Sequence, residues 1–129
     1  MQILHLPDAV THHLWPAISA ILEPAAEGDE VFNPASDVLW LAVENKIVWG
    51  AATTRLMEDG TAELRLVAGA RFREWIGPMD GLIEQWARKC GAHKLVTFGR
   101  KGWVRLARTF GWVVQGQDTD GKWTFEKRL

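Results

Sequence analysis

The sequence predicts an α/β (α+β) fold, with a mixed, twisted sheet of about six to seven strands and flanking helices in one domain. Two observations support this prediction. Short strand-like runs separated by turn signals fill the middle of the 129-residue chain, and helical spacing of apolar residues follows them. Apolar residues make up 47% of the chain, which suffices for one folded core. We therefore expect residues 1–129 to form a single domain.

The N-terminal part predicts one strand, one helix and a loop. Met1–Leu6 is strand-like, and the carboxylate of Asp8 is suited to cap a following helix. Apolar residues at helical spacing predict that helix over Val10–Leu22, with Pro16 causing a kink or a restart. Glu23–Asp37 is acidic and contains turn-forming residues, so we expect a loop that serves as a lid or a partner contact.

Three strand-like runs follow and predict an antiparallel meander. They are Val38–Glu44, Ile47–Leu56 and Ala62–Ala68. The dipeptide Asn45-Lys46 and the tripeptide Glu58-Asp59-Gly60 separate them, and both are typical of turns.

The pattern then changes to helical spacing. A helix is predicted over Gly77–Cys90, with Pro78 in its first turn and Gly91 as its stop. Its predicted buried stripe comprises Leu82, Ile83, Trp86, Ala87 and Cys90.

The C-terminal part predicts a strand, a helix and a hairpin. The strand is Lys94–Phe98, which we expect to lie parallel to the third meander strand after a crossover through the helix. The helix is Gly102–Phe110. Trp112–Val114 and Lys122–Glu126 flank a turn at 118–121 and predict the hairpin.

Charge is distributed unevenly although the net charge is only −1. The segment Met1–Asn45 carries acidic residues and no Lys or Arg, whereas Gln85–Gln117 carries basic residues and no acid. One interpretation is that the two segments face each other or are simply solvated. The other is that the basic segment forms an anion-facing surface for phosphate groups.

Several site classes and locations are disfavoured by the sequence. Cys90 is the single cysteine, so no intrachain disulfide is expected and a cytoplasmic location is favoured. His12 and His13 are adjacent and would point in different directions on a helix, so no metal site is predicted. No apolar run reaches the roughly 20 residues that span a bilayer. The N-terminus lacks the pattern of a signal peptide.

The run Glu84–Leu95, together with the Gly111-Trp112 step, resembles the GNAT (N-acetyltransferase-like) superfamily. The resemblance covers roughly residues 38–112 and implies the GNAT fold. It also implies acetyl-CoA as cofactor, with the pyrophosphate bound by a glycine-rich loop at the start of the long helix. The corresponding stretch here is Arg71–Ile76, in which Glu74 and Ile76 replace the glycines. Weak binding of acetyl-CoA is therefore expected.

The resemblance also implies which residues form the site. Backbone groups of the third meander strand would bind pantetheine, and residues of the following loop would face the phosphates. The implied cofactor-binding residues are Leu66, Val67, Ala68, Arg71, Arg73 and Trp75. Ala107 corresponds to the tyrosine that many GNAT enzymes use as general acid, and the chain contains no tyrosine. No catalytic residue is predicted.

A narrower resemblance concerns Gly99–Arg105 and the chain end Glu126–Leu129, which are similar to small GNAT-like proteins of tailed phages and prophages. It implies a non-catalytic binding or assembly role, with virion proteins as partners and the virion as a second location. The alternative is an acetyl-CoA-dependent N-acetyltransferase with an unknown amine acceptor. Nucleic-acid binding by the basic segment is not supported by a recognisable module.

Overall fold

The computed structural model describes residues 1–6, 18, 20 and 37–129. Two α-helices are assigned in the last of these ranges, α1 (Phe72–Lys89) and α2 (Val104–Thr109), and a 3₁₀ turn at Lys101–Trp103 precedes α2. The strands are β1 (Gln2–Leu6), β2 (Asp37–Glu44), β3 (Ile47–Leu56), β4 (Thr61–Gly69), β5 (Lys94–Gly99), β6 (Val113–Gln117) and β7 (Trp123–Arg128). Within the predicted helix 10–22, only Ile18 and Ala20 are described, and both are helical. The rest of that helix, including His12 and His13, and the loop residues before Asp37 lie outside the described residues.

The strands form one mixed seven-stranded sheet in the order β1-β2-β3-β4-β5-β7-β6. Strands β2, β3 and β4 are an antiparallel meander, and β5 pairs parallel to β4, as the sequence predicts. Strands β6 and β7 form the predicted hairpin, with β7 between β5 and β6. The α+β class and the mixed sheet are confirmed.

Local turn chemistry fixes the two hairpins. Asn45 and Lys46 have φ angles of 53° and 64°, the left-handed pair that a two-residue hairpin turn requires. In the β6–β7 turn, the Asp118 carboxylate accepts bonds from the backbone N–H groups of Asp120 and Lys122 at 3.0 and 2.8 Å. Both turns were identifiable from the sequence because these contacts are between near neighbours.

Helix α1 covers one face of the sheet. Its side chains Trp75, Met79, Ile83 and Ala87 are buried against residues of β2, β3, β4 and β5. A second cluster of buried residues lies on the opposite face and comprises Ile18, Leu39, Leu41, Ala51 and Leu66. Alternate residues of β2 therefore contribute to the two cores, as the period of two along a strand requires.

Helix α1 differs from the prediction in its start. It begins at Phe72 instead of Gly77, so Pro78 lies inside the helix. The proline removes one backbone donor, yet the helix extends through it because Trp75 and Ile76 are buried on the preceding turn. Tertiary packing outweighs the local preference here.

The buried stripe of α1 also differs from the prediction. Cys90 is exposed, Leu82 is 39% exposed, and Trp86 is partly buried with its ring 6.1 Å from that of Trp40. The predicted burial of Ile83 and Ala87 is confirmed, and the other buried residues of the helix are Trp75, Ile76, Met79 and Asp80. The prediction assigned Leu82, Trp86 and Cys90 to the buried stripe because all three are apolar and recur at helical spacing.

Two other boundaries are corrected. The predicted helix over 102–110 is divided, with a 3₁₀ turn at Lys101–Trp103 before α2. Asp37, predicted as the end of a loop, begins β2 and is fully buried, where it pairs with Arg55 at 2.5 Å. The ion pair compensates for burying the carboxylate.

Candidate functional site

The site begins where the two parallel strands separate. Pairing between β4 and β5 covers only Thr61–Leu64 against Lys94–Thr97, although β4 continues to Gly69. The Thr97 hydroxyl donates a bond of 2.8 Å to the Leu64 carbonyl oxygen at this point. Beyond it, the β5-facing edge of β4 pairs with no strand among the residues that the structure describes.

A β-bulge in β4 coincides with this separation. Thr53 of β3 is opposite Leu66, and its neighbour Thr54 is opposite Leu64, so Arg65 is an extra residue. The bulge takes the Leu66 N–H out of the regular ladder, and this N–H donates a hydrogen bond of 3.2 Å to the Thr53 hydroxyl oxygen instead. Bulges bend a strand and redirect its groups, and they are frequent beside active sites.

A cavity of about 800 Å³ lies at the gap between the two strands. Its polar wall includes Arg65, Asp80, Arg100 and Lys122. Apolar and aromatic side chains from α1, α2 and the C-terminal hairpin form most of the rest: Ile76, Leu106, Phe110, Trp112 and Phe125. This combination of apolar walls and few polar groups is typical of a ligand pocket.

The N-terminus of α1 follows the end of β4 by a short connection. Gly69, with φ 141°, is so close to the Trp49 carbonyl that a Cβ atom would lie 2.3 Å from its oxygen. Arg71 is the N-cap residue in the left-handed conformation, and among the described residues no side-chain capping bond is made at this helix start. Such a helix start is suited to an anion, because it concentrates backbone donors and the positive end of the helix dipole.

The positive charge of Arg71 is already compensated. Its guanidinium pairs with Glu44 at 2.6 Å and with Glu74, and it lies 4.7 Å above the centre of the Trp49 ring. The hydrogen bond from Arg71 lowers the pKa of Glu74, and the same bond raises that of Arg71. Two carboxylates thus compete with any phosphate for this arginine.

The residues implied as cofactor-binding occupy different environments. Val67 and Ala68 line the cavity, whereas Leu66 is buried in the second core and does not. Arg73 is exposed at the start of α1. The Trp75 ring is fully buried and its indole N–H donates to the Ala70 carbonyl at 2.8 Å, so the ring supports the connection and does not line the cavity. Ile76, which the resemblance places in the loop that binds the pyrophosphate, is instead buried in the core between α1 and the sheet.

A charged cluster around Asp80, which lines the cavity, was not identified from the sequence. The Asp80 carboxylate accepts the Trp112 indole N–H through one oxygen and the Lys127 ammonium through the other, both at 2.8 Å. Lys127 also lies 3.4 Å from Glu84, whose pKa is lowered by Arg88 and by Lys127. The available signal was that Asp80 follows Ile76 by one helical turn and so shares its buried face.

Other site classes find no support in the described ranges. No group of side chains there is arranged to hold a metal ion. Within the part of the chain that the structure describes, no helix is long and apolar enough to cross a membrane.

No known family profile and no curated protein sequence matches this chain. Solved structures do match it. An IAA acetyltransferase from Bacillus cereus is 14% identical with a TM-score of 0.76, and the match covers 99% of each chain. A ribosomal-protein-alanine N-acetyltransferase from Brucella melitensis is 18% identical with a TM-score of 0.70 over 100% of both chains.

A third structure, a GNAT family acetyltransferase from Elizabethkingia anophelis, has acetyl-CoA bound. It is 18% identical, its TM-score is 0.68, and the match covers 86% of this chain and 90% of that one. Identities this low establish the fold alone. The mixed seven-stranded sheet, the separation of β4 from β5 and these matches together show that the chain has the GNAT acetyltransferase fold.

Proposed function

We propose that this protein binds an acyl-CoA thioester in the cavity between β4 and β5 and transfers the acyl group to an amine. The observation that carries the proposal is the bulged, unpaired edge of β4 beside an apolar cavity, followed directly by the uncapped start of α1. An unpaired strand edge can bond the amide groups of an extended ligand as it would another strand. The pantetheine arm of CoA is such a ligand, and the pyrophosphate that follows it in CoA is suited to the helix start.

Positioning is the main contribution available to these residues. Transfer requires the amine nitrogen to attack the thioester carbonyl carbon; the carbon–sulfur bond then breaks, and the proton lost by the amine ends on the thiol or in solvent. No tyrosine is present to assist, and Ala107 lies in the cavity wall where the family resemblance implies one. Holding the two reactants in contact can still lower the barrier substantially, so a slow enzyme is expected.

Titration calorimetry with acetyl-CoA tests the proposal. We expect saturable binding that is lost in Val67→Trp, because Val67 lines the cavity and its side chain packs on the α1 face of the sheet. The matched control is Val113→Trp, since Val113 is 58% exposed on an edge strand and outside the cavity. Circular dichroism would check that both variants fold. Equal binding by both variants, or none by the wild type, would refute the site.

Acyl transfer is measured as release of free thiol with a panel of primary amines. The exposed Cys90 would react with the thiol reagent, so the assay uses Cys90→Ser.

A second prediction concerns the charge of Arg71. Replacing both of its partners, as in Glu44→Gln with Glu74→Gln, should tighten acetyl-CoA binding about two- to fivefold at low ionic strength. The gain should shrink as salt is added, because exposed charges are screened. Glu58→Gln is the matched control, since Glu58 is exposed in the β3–β4 turn. An unchanged dissociation constant in the double variant would show that Arg71 does not contact the cofactor.

A second candidate function is a binding or assembly module without catalysis. Compensation of Arg71 by two carboxylates, together with the absence of tyrosine, favours it. Partners in a phage particle are part of this candidate and rest on the sequence resemblance. Acetyl-CoA binding without thiol release for any amine would favour it; measurable turnover would exclude it.

A further inference from the structure

The outer side of α2 carries a second concave surface. This basic groove is lined by three cationic and two apolar side chains: Lys101, Arg105, Arg108, Val104 and Trp123. It shares no lining residue with the cavity beside β4. The α2 residues that line the cavity are Leu106, Ala107 and Phe110, and at about 3.6 residues per turn they lie on the opposite side of the helix. The basic groove is therefore separate from the proposed acyl-CoA site.

The positive charge of the basic groove is not compensated within the described part of the chain. Lys101, Arg105 and Arg108 are exposed, and none of them makes an ion pair with a described residue. No acidic side chain is among the described residues that line the groove. Arg71, by contrast, is paired with two carboxylates. Uncompensated cations that share a concave surface attract anions, and they release counter-ions when an anionic chain binds.

The three cations form a row. Lys101 begins the 3₁₀ turn, and Arg105 and Arg108 follow on α2 at intervals of four and three residues, so their side chains share one face. At rises of about 2.0 and 1.5 Å per residue, the row is roughly 10–12 Å long. That length exceeds a single phosphate group and suits successive phosphates of a chain.

Trp123 adds an aromatic ring beside this row. The side chain is partly buried and, like Val104, packs against the core, so its position is held by the fold. Aromatic side chains in a basic groove stack the bases of single strands, whose bases are accessible. A duplex keeps its bases stacked inside, and an acidic peptide has none. A single strand is the polyanion that uses both the charges and the ring.

We propose that the basic groove binds single-stranded nucleic acid without sequence preference, with phosphates at Lys101, Arg105 and Arg108 and a base stacked on Trp123. This binding goes beyond the proposed acyl transfer and does not depend on it. The sequence shows no nucleic-acid module because the row and the ring come from α2 and β7 and meet only in the folded chain.

Fluorescence anisotropy with a labelled oligothymidylate of about 20 nucleotides tests the proposal on the full chain. We expect saturable binding at low salt, with log K falling against log salt at a slope of about −2 for three phosphate contacts. In Arg105→Gln with Arg108→Gln, binding should weaken about tenfold or more and the slope should fall to about −0.7. Trp123→Leu should weaken binding at least about fivefold and leave the slope unchanged.

The matched control is Arg88→Gln with Lys89→Gln, which removes the same charge from exposed positions on α1 that lie outside the groove. Its dissociation constant should stay within about twofold of the wild-type value. Equal weakening by the two double variants would overturn the proposal, because overall charge and not the groove would then attract the strand. Circular dichroism checks folding, and the arginine pair decides the question even if Trp123→Leu does not fold.

Three further results would also overturn the proposal. The first is no binding of oligothymidylate at low salt. The second is equally tight binding of a duplex of the same length, which would show that no base stacks on Trp123. The third is tighter binding of a polyglutamate peptide, which would assign the groove to an acidic protein segment.

Discussion

Truncation of Trp75 to alanine should reduce the free energy of unfolding by about 3–5 kcal/mol. The side chain is fully buried between α1 and the sheet, contacts the Phe72 ring edge-on at 5.0 Å, and bonds Ala70. Domains of this kind are stable by only about 5–15 kcal/mol, so the loss would be a large fraction of the total. Urea unfolding followed by circular dichroism measures it.

Gly50 provides the complementary measurement. A Cβ atom at this position would lie 2.2 Å from the Trp75 ring, so Gly50→Ala should cost about 1–3 kcal/mol through overpacking. Combined with Trp75→Leu, the same substitution should cost much less, because the ring that it meets is gone. Gly81→Ala is the control: beyond its own stretch of helix, an added Cβ atom would meet no described atom within 4 Å, and the helix should gain roughly 0.8–1 kcal/mol. Additive effects at Gly50 and Trp75 would contradict this packing.

Loss of the Lys127 charge beside Asp80 should be comparably severe. Lys127→Met should cost about 3–5 kcal/mol, because it leaves the Asp80 carboxylate buried with the Trp112 indole as its remaining described partner. Asp80→Asn should cost less, since Lys127 still has Glu84 at 3.4 Å and the amide oxygen can still accept the indole N–H.

A double-mutant cycle isolates this pair. Lys127→Met with Asp80→Asn should cost less than the sum of the two single changes, because the buried charge is removed together with its partner. Lys94→Met is the matched control: its ammonium lies 3.9 Å from Glu126 and is a third exposed, so the loss should stay below about 1 kcal/mol. Equal losses for Lys127→Met and Lys94→Met would show that the cluster is not effectively buried.

The parts of the fold that were predicted correctly are those that depend on near neighbours in sequence. The meander, the parallel β5 and the final hairpin were expected from alternation, helical spacing and turn residues, and the structure confirms them. The strand Ile47–Leu56 was predicted to the residue. Each of these patterns repeats within a few positions, so it can be read without knowledge of the rest of the chain.

The site was predicted less completely. The resemblance indicated the end of β4 and the start of α1, and the structure places Val67 and Ala68 beside a cavity there. It did not indicate that Trp75 is a buried support, that Leu66 faces the second core, or that Glu44 pairs with Arg71. Each of these depends on which side chain from a distant segment occupies the neighbouring space.

The sequence by itself indicated the class of fold, the order of most elements along the chain and the absence of tyrosine. Only the tertiary structure decided the bulge at Arg65, the cavity beside it and the Asp80–Lys127 pair. That pair joins positions separated by 47 residues. Contacts across such a distance form only when the whole sheet has assembled, because the free energy that holds them comes from burial in the finished core and not from any local preference of the chain.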